Sequence, residues 1–301
     1  MVDLVTGGAG FIGSHVVDKL VEQAHSVRVF DKVKPHREDV EWFKGDLLNL
    51  DDLLEACADV DTVYHLGAIA DVNVATSSPE LCIEVNEIGT LNLMQASAAK
   101  EVERVVLASS TWVYGRLNDS VTEETPLPPP DNIYTKTKIG QEHVVASMSR
   151  ENGVPYTILR YDIPYGPRMR SNLVIAAFVR RASNKEPISI FGDGEQGRCW
   201  IYVDDLALGN VTAGTSPKAR NEVINLAGDQ FVTVAGIVDL LREHFGDISV
   251  ERKPTRPGDF RGVMTSIDKA RRLLGWAPAT PFKDGLERYL EWYSKLHSAV
   301  R

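Results

Sequence analysis

Short apolar runs alternate with segments of helical spacing along the first half of the chain, and this alternation strongly constrains the fold. Residues 11–24 and 79–100 carry the pattern typical of helices. The runs between them, typical of strands, lie at 2–6, 27–30, 61–66 and 105–109. Strands that alternate with helices form right-handed crossovers and a mostly parallel sheet. We therefore expect an α/β fold built on a parallel sheet.

The rhythm of the sequence changes after about residue 165. Turns rich in glycine and proline separate shorter elements, and helical spacing returns at 234–241 and 282–296. This change predicts a second, smaller lobe of mixed α/β structure. The predicted boundaries are 1–165 with 196–216 for the first domain, and 166–195 with 217–301 for the second lobe.

Composition excludes several kinds of partner. The 301 residues hold 33 Lys and Arg against 42 Asp and Glu, a net charge of −9 without a long basic run, so we expect no binding to nucleic acid. The longest apolar run, 173–179, falls far short of the ~20 residues of a membrane helix, and the start shows no secretory signal pattern. Three scattered cysteines and seven histidines show neither a disulfide framework nor metal-ligand spacing. These features predict a cytoplasmic protein that handles a small molecule.

A glycine-rich turn follows the first predicted strand and opens the first predicted helix. Gly7, Gly10 and Gly13 form G-x-x-G-x-x-G, which lets the backbone approach a pyrophosphate that the helix N-terminus stabilises. Asp31 closes the next strand, where a carboxylate accepts hydrogen bonds from an adenosine ribose and repels a 2′-phosphate. The pattern predicts NAD over NADP. Asp46 is a further candidate near the adenine, or a helix N-cap.

A tyrosine and a lysine stand four residues apart at the start of a predicted helix. Tyr134 and Lys138 therefore share one helix face. A nearby ammonium, helped by an oxidised nicotinamide, would lower the pKa of the phenol towards that of a general base. The pair alone is common by chance, but Ser109, Ser110 and Thr111 end a predicted strand at the carboxyl edge of the sheet, where such folds bind ligands. The combination predicts a catalytic site.

Six motifs in a fixed order resemble a known family. They are TGGAGFIG at 6–13, SSTWVYG at 109–115, YTKTK at 134–138, RY at 160–161 with YGPR at 165–168, IYVDD at 201–205 and RPGD at 256–259. Nearly the whole chain resembles the extended short-chain dehydrogenase/reductase family, in its NAD-dependent nucleotide-sugar epimerase/dehydratase branch. The resemblance implies a Rossmann-type, doubly wound parallel sheet with a C-terminal substrate lobe. It also implies NAD as cofactor, a UDP-sugar substrate, and a homodimer through the helices at 79–100 and 133–152.

The same resemblance implies roles for individual residues. The catalytic set would be Ser110, Tyr134 and Lys138. Cofactor contacts, besides the glycines and the two aspartates, would come from Phe11, Ile12, Leu47, Leu66, Gly67, Ala68, Ser109, Tyr134, Lys138 and Tyr161. Substrate contacts would come from Ser110, Thr111, Tyr134, Arg170, Arg198 and Arg256. Of these, Arg198 and Arg256 would bind the nucleotide diphosphate, since guanidinium groups suit bidentate contacts, unless they are exposed surface charges.

Two positions decide among the reactions of this branch. The resemblance implies that its dehydratases hold an Asp–Glu pair where this chain has Thr111 and Trp112, and that its UDP-xylose-forming decarboxylases hold a Glu at the second position. Neither Thr111 nor Trp112 titrates usefully, so we expect no elimination. The prediction is a C4 epimerase that returns the hydride to the opposite face of a transient 4-keto sugar.

The identity of the sugar stays open between two substrates. UDP-glucose with UDP-galactose is the leading prediction, because this pair is the commonest in the branch. Ile163 weakens it by replacing an Asn that contacts substrate in the family. Arg170 matches an Arg that meets the sugar carboxylate in uronate epimerases, so UDP-glucuronate becomes the better substrate if Arg170 faces the pocket. If Arg170 is solvated, nothing follows.

Two further functions are weaker alternatives. A nucleotide-sugar ketoreductase would commonly use NADPH, which Asp31 opposes. A non-catalytic NAD-binding protein would usually have lost one of the residues Ser110, Tyr134 and Lys138, all of which are present.

Overall fold

A parallel sheet forms the centre of the computed structural model, which describes residues 1–116, 119–255 and 261–298. The strands are β1 (Val2–Thr6), β2 (Ser26–Asp31), β3 (Glu41–Lys44), β4 (Thr62–His65), β5 (Arg104–Ser110), β6 (Tyr156–Tyr161), β7 (Pro164–Tyr165), β8 (Ile188–Phe191), β9 (Gly197–Arg198), β10 (Ile201–Tyr202), β11 (Glu222–Leu226), β12 (Val232–Thr233) and β13 (Val250–Lys253). Seven of them pair in parallel in the order β11-β6-β5-β4-β1-β2-β3. Every residue of β5 is buried, as expected for a strand covered on both faces. The predicted Rossmann-type sheet is confirmed.

Helices cover both faces of the sheet. They are α1 (Phe11–Glu22), α2 (Leu50–Ala56), α3 (Val72–Ser77), α4 (Pro79–Ile83), α5 (Gly89–Ala99), α6 (Ile133–Asn152), α7 (Val174–Ser183), α8 (Val203–Thr215), α9 (Val234–Phe245), α10 (Asp268–Leu274) and α11 (Phe282–Ser298). Polar side chains cap several of their starts, and Asn132 for example accepts the N–H of Thr135 at the start of α6. No helix of the described residues is long and apolar enough to cross a membrane.

The helix predicted at 79–100 is interrupted by a π-helical turn, Glu84–Ile88, between α4 and α5. The turn carries Asn86, which is fully buried. Its side-chain oxygen accepts the N–H of Ile69 at 2.8 Å, and its nitrogen donates to the carbonyl of Ile69 at 3.1 Å. The interruption therefore anchors the loop that follows β4, and π-turns are frequent at functional sites.

The second lobe has a separate apolar core. β8 and β13 pair in parallel, and α7, α9 and α11 pack around them. Val179, Ile188 and Leu241 are among the fully or almost fully buried residues of this core.

One strand lies outside its predicted domain. The boundary at 217 assigned β11 to the second lobe, but β11 pairs with β6 at the edge of the main sheet, and its last residue, Leu226, lies opposite Tyr161. Ile224 and Leu226 are fully buried in the core beneath that sheet. The strand holds only five residues, two of them polar, and it pairs with a strand about sixty residues away. Local spacing therefore gave no sign of its partner.

Candidate active site

A cavity of about 1130 Å³ opens at the carboxyl ends of the parallel strands. Loops after β1, β2, β4, β5 and β6 line one side, and α7, β8 and β13 of the second lobe contribute to the other. The strand order reverses between β1 and β4, and open α/β sheets bind ligands at such a point. The cavity exceeds the ~300–1,000 Å³ of an ordinary small-molecule site, so it has room for a dinucleotide and a second ligand.

The turn after β1 forms one end of the cavity, here called the glycine end. Gly7 has a φ of +69°, and a Cβ there would lie 2.7 Å from the backbone nitrogen of Gly67. A Cβ on Gly13 would lie 2.2 Å from the carbonyl oxygen of Gly7. Gly10 precedes α1 without a side-chain cap, so no capping side chain competes for the first N–H groups of the helix. This cradle fits a pyrophosphate held by backbone N–H groups.

Asp31 ends β2 beside the glycine turn. Its carboxylate accepts the backbone N–H groups of Ala9 at 3.0 Å and Val33 at 3.1 Å, which orient it. Asp46 also lines the cavity and pairs at 2.8 Å with Lys32, a lining residue that sequence reasoning did not identify. The charge of Lys32 is therefore matched by Asp46, and Asp31 is the acceptor that a ribose hydroxyl requires.

The loop after β4 packs directly against the glycine turn. Gly67 donates its N–H to the hydroxyl of Thr6 at 3.1 Å, and a Cβ at this position would crowd Leu47 and Thr6 at 3.1 Å. His65 contacts Thr6 through one ring nitrogen at 2.7 Å and Thr90 through the other at 2.9 Å. Burial lowers the pKa of His65 to about 3, so this histidine is a neutral structural group.

Ser110 and Tyr134 form the opposite end of the cavity, here called the tyrosine end. The Ser110 hydroxyl accepts the N–H of Trp112 at 3.2 Å and hydrogen-bonds the phenol of Tyr134. Burial raises the pKa of Tyr134, while the Ser110 hydrogen bond and the charge of Arg170 act to lower it. The lowered pKa expected from the sequence is not reached by these protein groups, because burial outweighs them. The positive charge of a bound oxidised nicotinamide would act in the required direction.

Lys138 lies one helical turn beyond Tyr134 and is only 4 % exposed. Its ammonium donates to the carbonyl of Ala108 at 2.8 Å. Burial lowers the pKa of Lys138 to about 8, while Cys82 and Glu142 act to raise it. Lys138 is therefore protonated below about pH 8 and loses its charge as the pH rises through that value.

Arg170 reaches the tyrosine end from the loop that follows β7. One guanidinium nitrogen lies 3.5 Å from the carboxylate of Asp71, and another donates to the carbonyl of Ala70 at 3.3 Å. Asn172 donates to the same Asp71 carboxylate at 2.8 Å. Arg170 lines the cavity and its charge acts on Tyr134. The side chain therefore faces the cavity, which the sequence left undecided.

Trp112 and Asp162 complete the tyrosine end. The rings of Trp112 and Tyr134 meet edge to face with centroids 6.2 Å apart. Asp162 accepts the N–H of Ile163 at 2.9 Å and the hydroxyl of Thr265 at 2.8 Å, and burial raises its pKa to about 6. Sequence reasoning used Trp112 only as an argument against elimination and did not identify Asp162 as a site residue.

Most of the predicted site residues line this one cavity. They are Gly7, Gly10, Phe11, Ile12, Gly13, Asp31, Asp46, Leu47, Leu66, Gly67, Ala68, Ser109, Ser110, Tyr134, Lys138, Tyr161 and Arg170.

Two of the described substrate residues, Thr111 and Arg198, are not among those that line the cavity. Thr111 begins the 3-10 turn after β5. Arg198 lies in β9, and its guanidinium turns back to the carbonyl of Gly197 at 2.6 Å. The contact of Arg198 with a diphosphate stays a prediction. Arg256 lies outside the described residues.

Two basic residues of the second lobe line the cavity without a sequence signal. They are Arg181 of α7 and Lys253 of β13. The parallel pairing of β13 with β8 brings Lys253 opposite Phe191, another lining residue. A four-residue strand is too short to reveal its pairing partner, so only the folded lobe identifies this contact.

Short-chain dehydrogenases/reductases, which depend on a dinucleotide, are defined by a Rossmann-type sheet, a glycine-rich turn and a Ser–Tyr–Lys set. Residues 4–227 match the NAD dependent epimerase/dehydratase family, and the chain belongs to this family.

Three relatives are named for different reactions. The solved UDP-glucose 4-epimerase of Thermotoga maritima with UDP-glucose is 32 % identical, with a TM-score of 0.92 over 99 % of this chain and 100 % of the other. The solved UDP-glucuronic acid 4-epimerase of Bacillus cereus, with UDP-glucuronic acid and NAD, is 30 % identical, with a TM-score of 0.91 over 98 % and 100 %. UDP-glucuronic acid decarboxylase 1 of Danio rerio is 31 % identical over 97 % of this chain and 72 % of the other.

Proposed function

We propose that the protein inverts C4 of a UDP-hexuronate, interconverting UDP-glucuronate and UDP-galacturonate. Arg170 carries the proposal, because it brings a guanidinium to the tyrosine end of the cavity. A sugar carboxylate would gain charge-assisted hydrogen bonds from that group. The contact of Arg170 with Asp71, at 3.5 Å, is longer than a hydrogen bond and leaves bonding capacity for a ligand. The Bacillus cereus relative, which binds UDP-glucuronic acid, supports the same reading.

The residues of the tyrosine end supply the proton chemistry. NAD, when bound, accepts a hydride and returns it. Tyr134 takes the proton of the C4 hydroxyl as C4 loses its hydride, and Ser110 hydrogen-bonds the reacting oxygen. With NAD bound, the 4-keto sugar would turn over in the cavity, and Tyr134 would give the proton back as the opposite face of C4 is reduced. Substrate and product therefore differ only in configuration, with no net oxidation.

Trp112 supports epimerisation over elimination. Loss of water or of carbon dioxide from a keto sugar benefits from a titratable side chain beside the sugar. The indole of Trp112 lines the cavity next to Tyr134 and cannot exchange a proton in this way. The position of Trp112 therefore supplies no acid or base for elimination, which supports return of the hydride to the keto sugar.

The test combines a substrate panel with the Arg170→Gln variant. Purified protein is incubated with UDP-glucuronate and UDP-glucose, and inversion at C4 is followed by proton NMR. Loss of a hydrogen bond to a charged group removes about 1.5–3 kcal/mol, so kcat/KM for UDP-glucuronate should fall by about 10- to 100-fold. Arg180→Gln, the same change at an exposed neighbour outside the cavity lining, is the matched control.

UDP-glucose with UDP-galactose is the second candidate, supported by the Thermotoga maritima relative. Inversion of UDP-glucose but not UDP-glucuronate, unaffected by Arg170→Gln, would transfer the assignment to this pair. A stable 4-keto-6-deoxy product or a UDP-pentose would instead refute epimerisation.

We also propose a homodimer formed through α4, α5 and α6. Ile88, on the π turn, is 46 % exposed, and large apolar side chains at a surface often mark a contact with another chain. Light scattering at the monomer mass would exclude this proposal. The cytoplasmic location stays a prediction.

A further inference from the structure

A buried ion pair lies behind the side chains of Ser110, Tyr134 and Lys138, and the proposed reaction makes no use of it. Glu142 lies one turn beyond Lys138 on α6, and Arg160 lies on β6 next to Tyr161. Their side chains are 7 % and 6 % exposed. Nε of Arg160 donates to Oε1 of Glu142 at 3.0 Å, and Nη2 donates to Oε2 at 2.7 Å. This two-pronged geometry fixes the orientation of both side chains.

The pair extends to the strands that carry the site. The Ser109 hydroxyl donates to Oε1 of Glu142 at 2.5 Å, and Ser109 adjoins Ser110. Nη1 of Arg160 donates to the hydroxyl of Tyr114 at 3.0 Å, and that hydroxyl donates to the side-chain oxygen of Asn225 at 2.7 Å. One carboxylate therefore bonds α6 to β5 and β6 and is connected onward to β11.

We propose that the Glu142–Arg160 pair positions the catalytic groups of α6 and β5 relative to one another. α6 carries Tyr134 and Lys138, and β5 carries Ser110, so a rigid link between the two elements sets the geometry on which proton transfer depends. Buried ion pairs are weak stabilisers relative to apolar packing, so a role in positioning accounts better for two charges at this place. The inference rests on the proposed roles of Tyr134 and Lys138 and does not depend on the sugar.

The positioning role also has an electrostatic readout at Lys138. The titratable groups next to it are Tyr134 and Glu142 of α6, Cys82 of α4 and His65 of β4. Burial lowers the pKa of Lys138 to about 8, while Cys82 and Glu142 act to raise it. Without the Glu142 carboxylate one of the two raising groups is lost, so the pKa of Lys138 falls further.

The test replaces the carboxylate by an amide of the same shape, Glu142→Gln. NMR titration of the full chain with bound NAD, labelled with 13C at lysine Cε, measures the pKa of Lys138, and Lys138→Met assigns the signal. The pKa should fall by about half a unit or more. The alkaline limb of kcat/KM should move to lower pH by the same amount, with kcat reduced about tenfold and KM nearly constant.

Two variants separate positioning from mere folding. Glu87→Gln removes a carboxylate that pairs at 2.6 Å with Lys136, which lies on α6 like Lys138. This variant should change neither the pKa of Lys138 nor the pH profile of kcat/KM. Glu142→Gln combined with Arg160→Met removes both buried charges, so it should fold even where the single variant does not. Its kcat should still be reduced, because the bonds between α6, β5 and β6 are lost. A wild-type kcat in either folded variant overturns the inference. A shifted pKa in a protein that turns over no nucleotide sugar overturns the proposed function instead.

Discussion

The two ends of the cavity are built to bind their ligands by different means. At the glycine end the backbone of a single turn is the binding surface, with Gly7 and Gly13 too crowded for any Cβ. At the tyrosine end the binding groups are side chains from separate segments. Asn172 and Asp71, which meet there, are 101 residues apart in sequence.

This difference has a functional consequence. A change in the glycine turn acts on the cofactor and should impair every substrate equally. A change among the side chains of the tyrosine end should act on one substrate or one step and leave the cofactor bound. Three variants test this division, in order of expected effect, beside the Arg170 and Glu142 variants described above.

Tyr134→Phe should have the largest effect. Removing a positioned general acid–base group lowers rates by about 10²- to 10⁴-fold, and we expect kcat to fall by this factor. The ring remains and the glycine end is untouched, so the NAD content of the purified protein, measured by absorbance after denaturation, should match wild type. Tyr289→Phe, buried in the core of the second lobe, serves as control. Full activity in Tyr134→Phe would end the general-base assignment.

Gly13→Ala should follow, with its effect at the opposite end. The new methyl would lie 2.2 Å from the carbonyl oxygen of Gly7, so the turn must open. Overpacking of this kind costs about 1–3 kcal/mol. NAD affinity, measured by calorimetry, should therefore fall by about 10- to 100-fold.

The matched change is Gly236→Ala, at the start of α9, where a Cβ meets only the side-chain oxygen of Thr233 at 3.3 Å and Val232 at 3.7 Å. It should leave NAD affinity as it was. Unequal losses on UDP-glucuronate and UDP-glucose in Gly13→Ala would contradict the proposed division of the cavity.

Trp112→Ser should have the smallest effect and the most selective one. Loss of the aromatic contact with Tyr134 removes about 0.5–1.5 kcal/mol of stabilisation. KM for the sugar nucleotide should therefore rise by about 2- to 10-fold. NAD affinity should not change, because the ring of Trp112 contacts Tyr134 at the tyrosine end. A matching loss of NAD affinity would mean that the two ends are coupled.

The fold could be predicted where the signal is local. Buried parallel strands such as β5 show as uninterrupted apolar runs, and helices such as α6 show as spacing and caps. β11 and β13 escaped detection because each is short and takes its place from a partner far along the chain. The π turn at Glu84–Ile88 has no local signature, although its Asn86 anchors the loop beside the cavity.

The sequence by itself predicted the glycine cradle, the alternation of strands and helices in the first half, the Ser110–Tyr134–Lys138 set and the family. These features depend on consecutive residues, whose backbone geometry is encoded locally. Only the tertiary structure decided that Arg170 enters the cavity, that Arg198 does not line it, and that burial rather than the neighbouring charges dominates the pKa values of Tyr134 and Lys138. Side-chain direction and desolvation depend on segments brought together by folding, and no local pattern records them.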